Sequence, residues 1–246
     1  MNVNGLTVCV EFDDLLRLTL PRNARHFDHL LVVTSPADRG TLEAVDQVTN
    51  EHGLDNVDVY LTNAFTKRGA AFNKGMCLEH GLDVVGRSGW LLVWDVDVVM
   101  PDVMDLSQIE VGKLHCPRRR MCRNIAEYTG QCNWTRWPIL KETELAGYYQ
   151  LFHAADPVLK ARPWYSIDWR HAGGCDSDFQ ARWPAERKVR LPFEVLHLGE
   201  SYVNWHGRVQ ARADGTLPPE ADRRRRAQRQ MYAQRRKWGF RKEKLG

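Results

Sequence analysis

No stretch of these 246 residues approaches the roughly 20 consecutive apolar positions that a bilayer-crossing helix requires. The opening MNVNGLTVCVEF lacks the charged start, apolar block and small-residue cleavage site of a signal peptide, and the expectation is a cytoplasmic protein. Cysteine is sparse and unpatterned. The six, at 9, 77, 116, 122, 132 and 175, form no C-x-x-C pair and no framework spacing, which predicts reduced thiols rather than disulfides. His115, Cys116, Cys122 and Cys132 are zinc-ligand types, but their spacing matches no familiar zinc pattern. No internal repeat is present, which argues against a solenoid or propeller. Acidic residues are nearly missing from one region. Residues 223 to 246 hold eleven Lys or Arg against Glu243 alone, a net of +10, while the other 222 residues net −6. Such a tail is an electrostatic module whose partner is a polyanion or an acidic surface of the protein itself.

What is present begins with four apolar runs fit for buried strands: residues 6–12, 29–35, 57–62 and 90–98. Helical segments alternate with them. Asp13 to Leu20 is expected to stop at Pro21, Asp38 to His52 to end at Gly53, and Ala71 to Val85 to present Ala71, Gly75, Leu78, Leu82 and Val85 on one face. The order βαβαβαβ predicts an α/β fold, a three-layer αβα sandwich on a mainly parallel sheet, with ligands at the carboxyl ends of the strands. Beyond residue 105 the pattern loosens into an elaboration over that sheet, with tryptophans scattered among Gly and Pro. Leu217-Pro218-Pro219 separates a catalytic body, 1–216, from the basic tail, 217–246, whose composition favours a solvated helix.

The run WLLVWDVDV ends in Asp95 and Asp97, which share a face if the backbone is still extended there. Two adjacent carboxylates repel unless a cation lies between them, and Mg2+ or Mn2+ held this way keeps open positions for the phosphates of a nucleotide. The alternative is an Asp that caps a turn before Pro101. Position at the tip of a central apolar strand favours the metal.

With that motif in place the chain resembles small glycosyltransferases of the GT-A type, galactosyltransferase-like members of phage or bacterial kind. The resemblance spans about residues 6 to 210. It rests on Phe72-Asn73-Lys74-Gly75 opening the helix before the D-x-D strand, on Gly147-Tyr148-Tyr149-Gln150-Leu151-Phe152 after it, and on Gly173-Gly174-Cys175-Asp176-Ser177-Asp178-Phe179. His197-Leu198-Gly199 and Asn204-Trp205-His206-Gly207-Arg208 complete the set. It implies a metal-dependent hexosyltransferase that uses a nucleotide-sugar, UDP-sugar being the commonest choice in the family. Asp97 is then a direct metal ligand, Asp95 a ligand or a contact to ribose and metal water, and His197 the third protein ligand. Lys74 and Arg208 would hold the diphosphate, with Asn73 beside them. Glu11, Asp13, Thr34, Ser35 and Asp38 fall where base and ribose lie in such a site. Tyr148, Tyr149 and Trp205 supply flat walls for sugar or base, or else pack in the core. The outcome implied is inversion, with Asp176 at the position of the catalytic base and Asp178 in reserve. Cys175 departs from the family pattern, where an acid is usual, so the acceptor need not be a sugar.

Arg118, Arg119, Arg120 and Arg123 form a second basic cluster, and Tyr232, Trp238 and Phe240 interleave with the cations of the tail. This is the footprint of a nucleic-acid partner. Phage proteins of the resembled kind decorate DNA, and a hydroxymethylpyrimidine in DNA is the favoured acceptor, reached by flipping the base. The competing readings are a saccharide, lipid or protein acceptor, a nucleic-acid-binding protein without activity, and a nucleotidyltransferase releasing pyrophosphate.

Overall fold

The computed structural model describes residues 2–130, 133–141, 145, 147–238 and 243–244. Cys132, Phe240 and the Trp238 side chain, named above, lie outside what is described. The four expected strands form as β1 (Val3–Val8), β2 (His29–Thr34), β3 (Val57–Leu61) and β4 (Trp90–Asp95), paired in parallel in the order β3-β2-β1-β4. The loosely patterned second half supplies more strand than its sequence announced: β5 (Val98–Val99), β6 (Leu114–Cys122), β7 (Tyr149–His153) and β8 (Lys188–Leu198). They extend one eight-stranded sheet as β4-β7-β6-β8-β5. β7 is antiparallel to β4 and to β6, while β6 and β8 are parallel. The carboxyl ends of β1, β2, β4, β6 and β8 therefore share one edge. The architecture is an αβα sandwich of GT-A type around a mostly parallel, curled sheet.

Local chemistry sets the helix bounds. α1 (Asp13–Asn23) runs through Pro21 instead of stopping before it. In the last turn proline costs a single N–H, and Asn23 ties the helix end to β5 by donating to the Val98 carbonyl and accepting the Met100 N–H, 2.8 and 2.9 Å. α2 (Arg39–His52) starts at Asp38, whose carboxylate accepts the Thr41 N–H, and ends at Gly53 in the left-handed conformation, φ 62°. α3 is shorter than its apolar spacing implied, Lys74–Val85, because Asn73 caps it by accepting the Met76 N–H. Leu78, Leu82 and Val85 are buried from it, and Gly81 lies against Leu6 and Val33 of the sheet. α4 (Cys175–Gln180) is one short turn, and α5 (Ala221–Trp238) carries the basic tail.

The expected strand 90–98 breaks at Val96-Asp97, where the chain turns before β5. β5 pairs antiparallel with β8 at Val98 and His197. The two acids thus do not share a strand face; the turn brings Asp97 beside β8. No described helix is long and apolar enough to cross a membrane.

Candidate functional site

At the carboxyl edge of β1 and β4, where Val8 and Asp95 are register partners, lies a cavity of about 160 Å³. Its charged or titratable lining is Lys74, Asp95, Asp97, Arg119, Asp176, His197 and Glu200, brought together from both halves of the chain. The sequence reading missed Glu200, which carries no motif, and named the other six, five of them for this site. Strand β4 ends here because carboxylates cannot enter the core unpaired, so its apolar run terminates where solvent and cations are reachable.

Lys74, the first residue of α3, forms an ion pair with Asp95. Burial alone would lower its ammonium, but Asp95 and Asp176 outweigh this and raise it, so Lys74 stays charged. Asp97 is held up in the opposite sense. Burial raises its carboxyl, the imidazole of His197 at 3.5 Å pulls it down, and the nearby Asp95 pushes it up again. Its Oδ1 and the Nδ1 of His197 are buried without a hydrogen-bond partner. A carboxylate oxygen left this way is costly and marks a place for a cation or a donor.

Among the described residues, no group of three or more His, Cys, Asp or Glu is gathered into a cage for an ion. A Mg2+ or Mn2+ site needs none, since such ions are usually bound by one or two carboxylates, with phosphate oxygens and waters completing the shell. The orphaned Oδ1 of Asp97 fits that role. Asp95, neutralised by Lys74, stands beside it.

Arg118, Arg119, Arg120 and Arg123, one basic cluster in sequence, are not one surface in the structure. Neighbouring residues of β6 point to opposite faces, so Arg118 is exposed, whereas Arg119 is buried, lying 4.4 Å over the Tyr148 ring and lining the cavity. Arg120 is turned away as well, bonded to Glu194 and to the Trp137 carbonyl. Period-two alternation along the run was the signal that would have separated them.

Asp176, in the first turn of α4, accepts N–H bonds from Gly174 and Ser177 through Oδ1, at 3.2 and 2.9 Å. Its other oxygen packs over Gly147, where a Cβ would approach it to 1.8 Å. Only glycine leaves room for that carboxylate. Tyr202 and Trp205 form an aromatic rim, in edge contact at 6.5 Å.

Several expected site residues serve the scaffold instead. Arg208 is fully buried, bonded to both oxygens of Asp14 and to the carbonyls of Glu11, Gln210 and Ala211. It cannot turn to a diphosphate without stranding Asp14. Asp13 pairs with Arg212. Asp38 is spent on Thr41, on the Glu11 N–H and on the hydroxyl of buried Thr34. Asn73 caps α3 and donates to the Ile167 carbonyl, so it places Lys74 without facing the cavity. Tyr149 points into the core, its hydroxyl against the Met104 sulfur; Tyr148 is the one at the cavity. Asp178 accepts from the Trp169 indole and from Lys244, outside the cavity lining.

Glu11 and Ser35 line a second cavity of about 200 Å³, which shares Val10 and Phe72 with the first. α5 packs beside both on one face, while its other face stays exposed as expected for a solvated helix. Arg224 clamps the Glu11 carboxylate, Gln228 and Tyr232 donate to the Tyr202 carbonyl at 2.7 and 3.2 Å, and Arg235 lies 4.3 Å over the Trp205 ring. Glu11 and Tyr202 are both non-glycine residues at φ 66°. Such backbone persists only where its surroundings hold it, and here the tail does so at both points.

No protein-family model matches the chain, and no curated protein matches it. Among solved structures it is similar to the inositol-1-phosphate CTP transferase from T. maritima, at 9% identity over 80% of this chain and 89% of that one, TM-score 0.48. It is also similar to a mannosyltransferase from Pyrobaculum calidifontis in complex with GDP-Man and Mn2+, at 14% identity over 97% and 76%, TM-score 0.49.

Proposed function

We propose that this chain is a nucleotide-sugar-dependent glycosyltransferase, moving a hexosyl group from a donor, UDP-sugar in the first instance, to an acceptor hydroxyl. The observation that carries the reading is the cavity at the strand tips, where the orphaned Asp97 carboxylate, the Lys74 and Arg119 cations and the Asp176 carboxylate converge. Asp97, with Asp95 and His197 beside it, would hold Mn2+ or Mg2+, which when bound supplies Lewis-acid neutralisation of the diphosphate. Lys74 and Arg119 add fixed positive charge where the leaving group develops its own. The adjacent cavity of Glu11 and Ser35 suits the base and ribose.

In the transfer step the acceptor O–H loses its proton to Asp176 as its oxygen bonds the anomeric carbon. The carbon–oxygen bond to the diphosphate breaks, and its electron pair leaves with the nucleoside diphosphate. Attack opposite the leaving group inverts the anomeric centre. For the acceptor, the cations that α5 leaves facing outward support a nucleic acid, and a hydroxymethylpyrimidine of DNA is the hydroxyl we favour. The segment from residue 217 then serves the body rather than acting as a separate arm.

Donor turnover tests the reading. With Mn2+ and a panel of nucleotide-sugars, the full chain is expected to release nucleoside diphosphate slowly without acceptor and faster with hydroxymethylated DNA. Asp97→Asn is expected to lower both rates by about 10²-fold or more. Parental rates in that variant, or in a chelator, defeat the proposal.

A further inference from the structure

A third cavity, of about 290 Å³, lies between α5 and the segment 200–210. Val203, Val209, Arg225, Arg229, Gln210 and Gln228 line it, with Tyr232 and Glu200; Glu200 also lines the reaction cavity. Two of these walls are unusual. Gln210 and Gln228 are more than nine-tenths buried, and each has one amide atom without a partner. The orientation of each amide is set by its other end. Gln210 Oε1 accepts the Glu200 N–H at 3.1 Å, which leaves Nε2 as a spare donor. Gln228 Nε2 donates to the Tyr202 carbonyl at 2.7 Å, which leaves Oε1 as a spare acceptor. Buried polar atoms are nearly always satisfied, so a donor and an acceptor left over on two residues that line one cavity imply a partner offering the converse pair, met by a small turn of either side chain.

We infer that this cavity binds a nucleobase carrying a phosphate, and that the source is an unpaired base of a nucleic-acid strand. A sulfate or a phosphodiester alone offers only acceptors and leaves Gln228 Oε1 unmet. The edge of a base offers a donor and an acceptor side by side, and the apolar walls of Val203 and Val209 with Tyr232 suit a flat ring. The phosphate falls to Arg225 and Arg229. From Arg229 the exposed Arg226 and Arg223 continue along α5 at three-residue spacing, a track for further phosphates that a free nucleotide would not need. Gln228 also holds Tyr202 at the rim of the reaction cavity, so occupancy is reported there. The inference deepens the nucleic-acid reading of the acceptor and rests on it.

Binding, not turnover, tests it, so that its failure and that of the proposed function are separable. A labelled single-stranded oligonucleotide, an abasic strand of equal length, a nucleoside monophosphate and vesicles of anionic phospholipid are titrated against the full chain at low salt. The base-bearing strand is expected to bind about tenfold or more tighter than the abasic one. Gln228→Met and Gln210→Met should remove that preference, while Arg229→Ala, at an exposed position that folding tolerates, should lower the salt slope by ~0.7. Equal binding of the abasic strand, or vesicles that compete with the strand at equal phosphate, overturns the inference. Monophosphate binding as tight as the strand overturns the strand as its source. Loss of transfer to DNA with base-dependent binding intact overturns the acceptor and leaves the cavity assignment standing.

Discussion

Two arginines show how one residue type takes opposite roles. Arg119 sits on Tyr148 at the wall of the first cavity, and Arg208 is fully buried against Asp14. Arg208→Ala strands the Asp14 carboxylate and three carbonyl contacts, so its expected effect is on folding, about 3–5 kcal/mol, read as a lower denaturation midpoint. Arg119→Lys keeps the charge but loses the planar stack, and is expected to raise the donor KM about tenfold with little loss of stability. If instead Arg208→Ala folds normally and binds donor poorly, the two roles have been exchanged. The sequence showed Arg208 within a plausible motif, but it could not show that Asp14, 194 positions away, would claim the guanidinium. The same limit hid the pairing of Asp178 with Lys244 and the choice of Tyr148 over Tyr149. Local chemistry was legible; long-range partners were not.

At the scale of elements, the parallel half of the sheet was readable because each strand and helix carries its own period and cap: β1 to β4, and α2 between Asp38 and Gly53. β6 and β8 were not, since Pro117 and Pro192 interrupt them and their charged residues face partly outward. α3 matters most for the site because it presents Lys74. It packs so closely on the 165–167 segment that a Cβ on Gly75 would come within 2.0 Å of the Ser166 carbonyl oxygen, a backbone atom that cannot swing aside. Gly75→Ala is therefore expected to cost about 2 kcal/mol and to lower Tm by ~4–8 °C, while shifting Lys74 off Asp95 and slowing turnover. An unchanged Tm in that variant means the helix has more room than this packing allows. α5 gives the complementary case. Because Arg224, Gln228, Tyr232 and Arg235 hold both strained residues and the Trp205 ring, removing residues 220–246 is expected to reduce donor hydrolysis even without acceptor. A tail that only recruits acceptor would leave that background rate untouched.

Across the whole molecule, acid stability follows from where the histidines are buried. His171 is 1% exposed, and burial outweighs the Glu243 carboxylate at 3.0 Å to bring its pKa from 6.5 down to about 4. Burial also lowers His26, His115 and His206. Between pH 4 and 6.5 the unfolded chain thus binds more protons than the folded one, so stability rises with pH across that window and is lost as pH falls through it. His171 alone accounts for about 3 kcal/mol, and the other three act in the same direction. Asp97 opposes them, since a carboxyl raised by burial favours the folded state when protonated, but it is one group against four. The loss is local before it is global. A protonated His171 would hold Glu243 more tightly, so the cost lies in burying its charge, and the imidazole takes its proton where the cover of Trp205 and Glu243 opens to water. Denaturant midpoints at pH 7.5, 5.5 and 4.5 are expected to fall steadily, with amide exchange in α5 quickening first. His171→Gln, which keeps a donor for Glu243 but does not titrate, should flatten the curve. A midpoint that holds from pH 7.5 to 4.5 in the parent chain would mean that these imidazoles are not the buried neutral groups their environment requires.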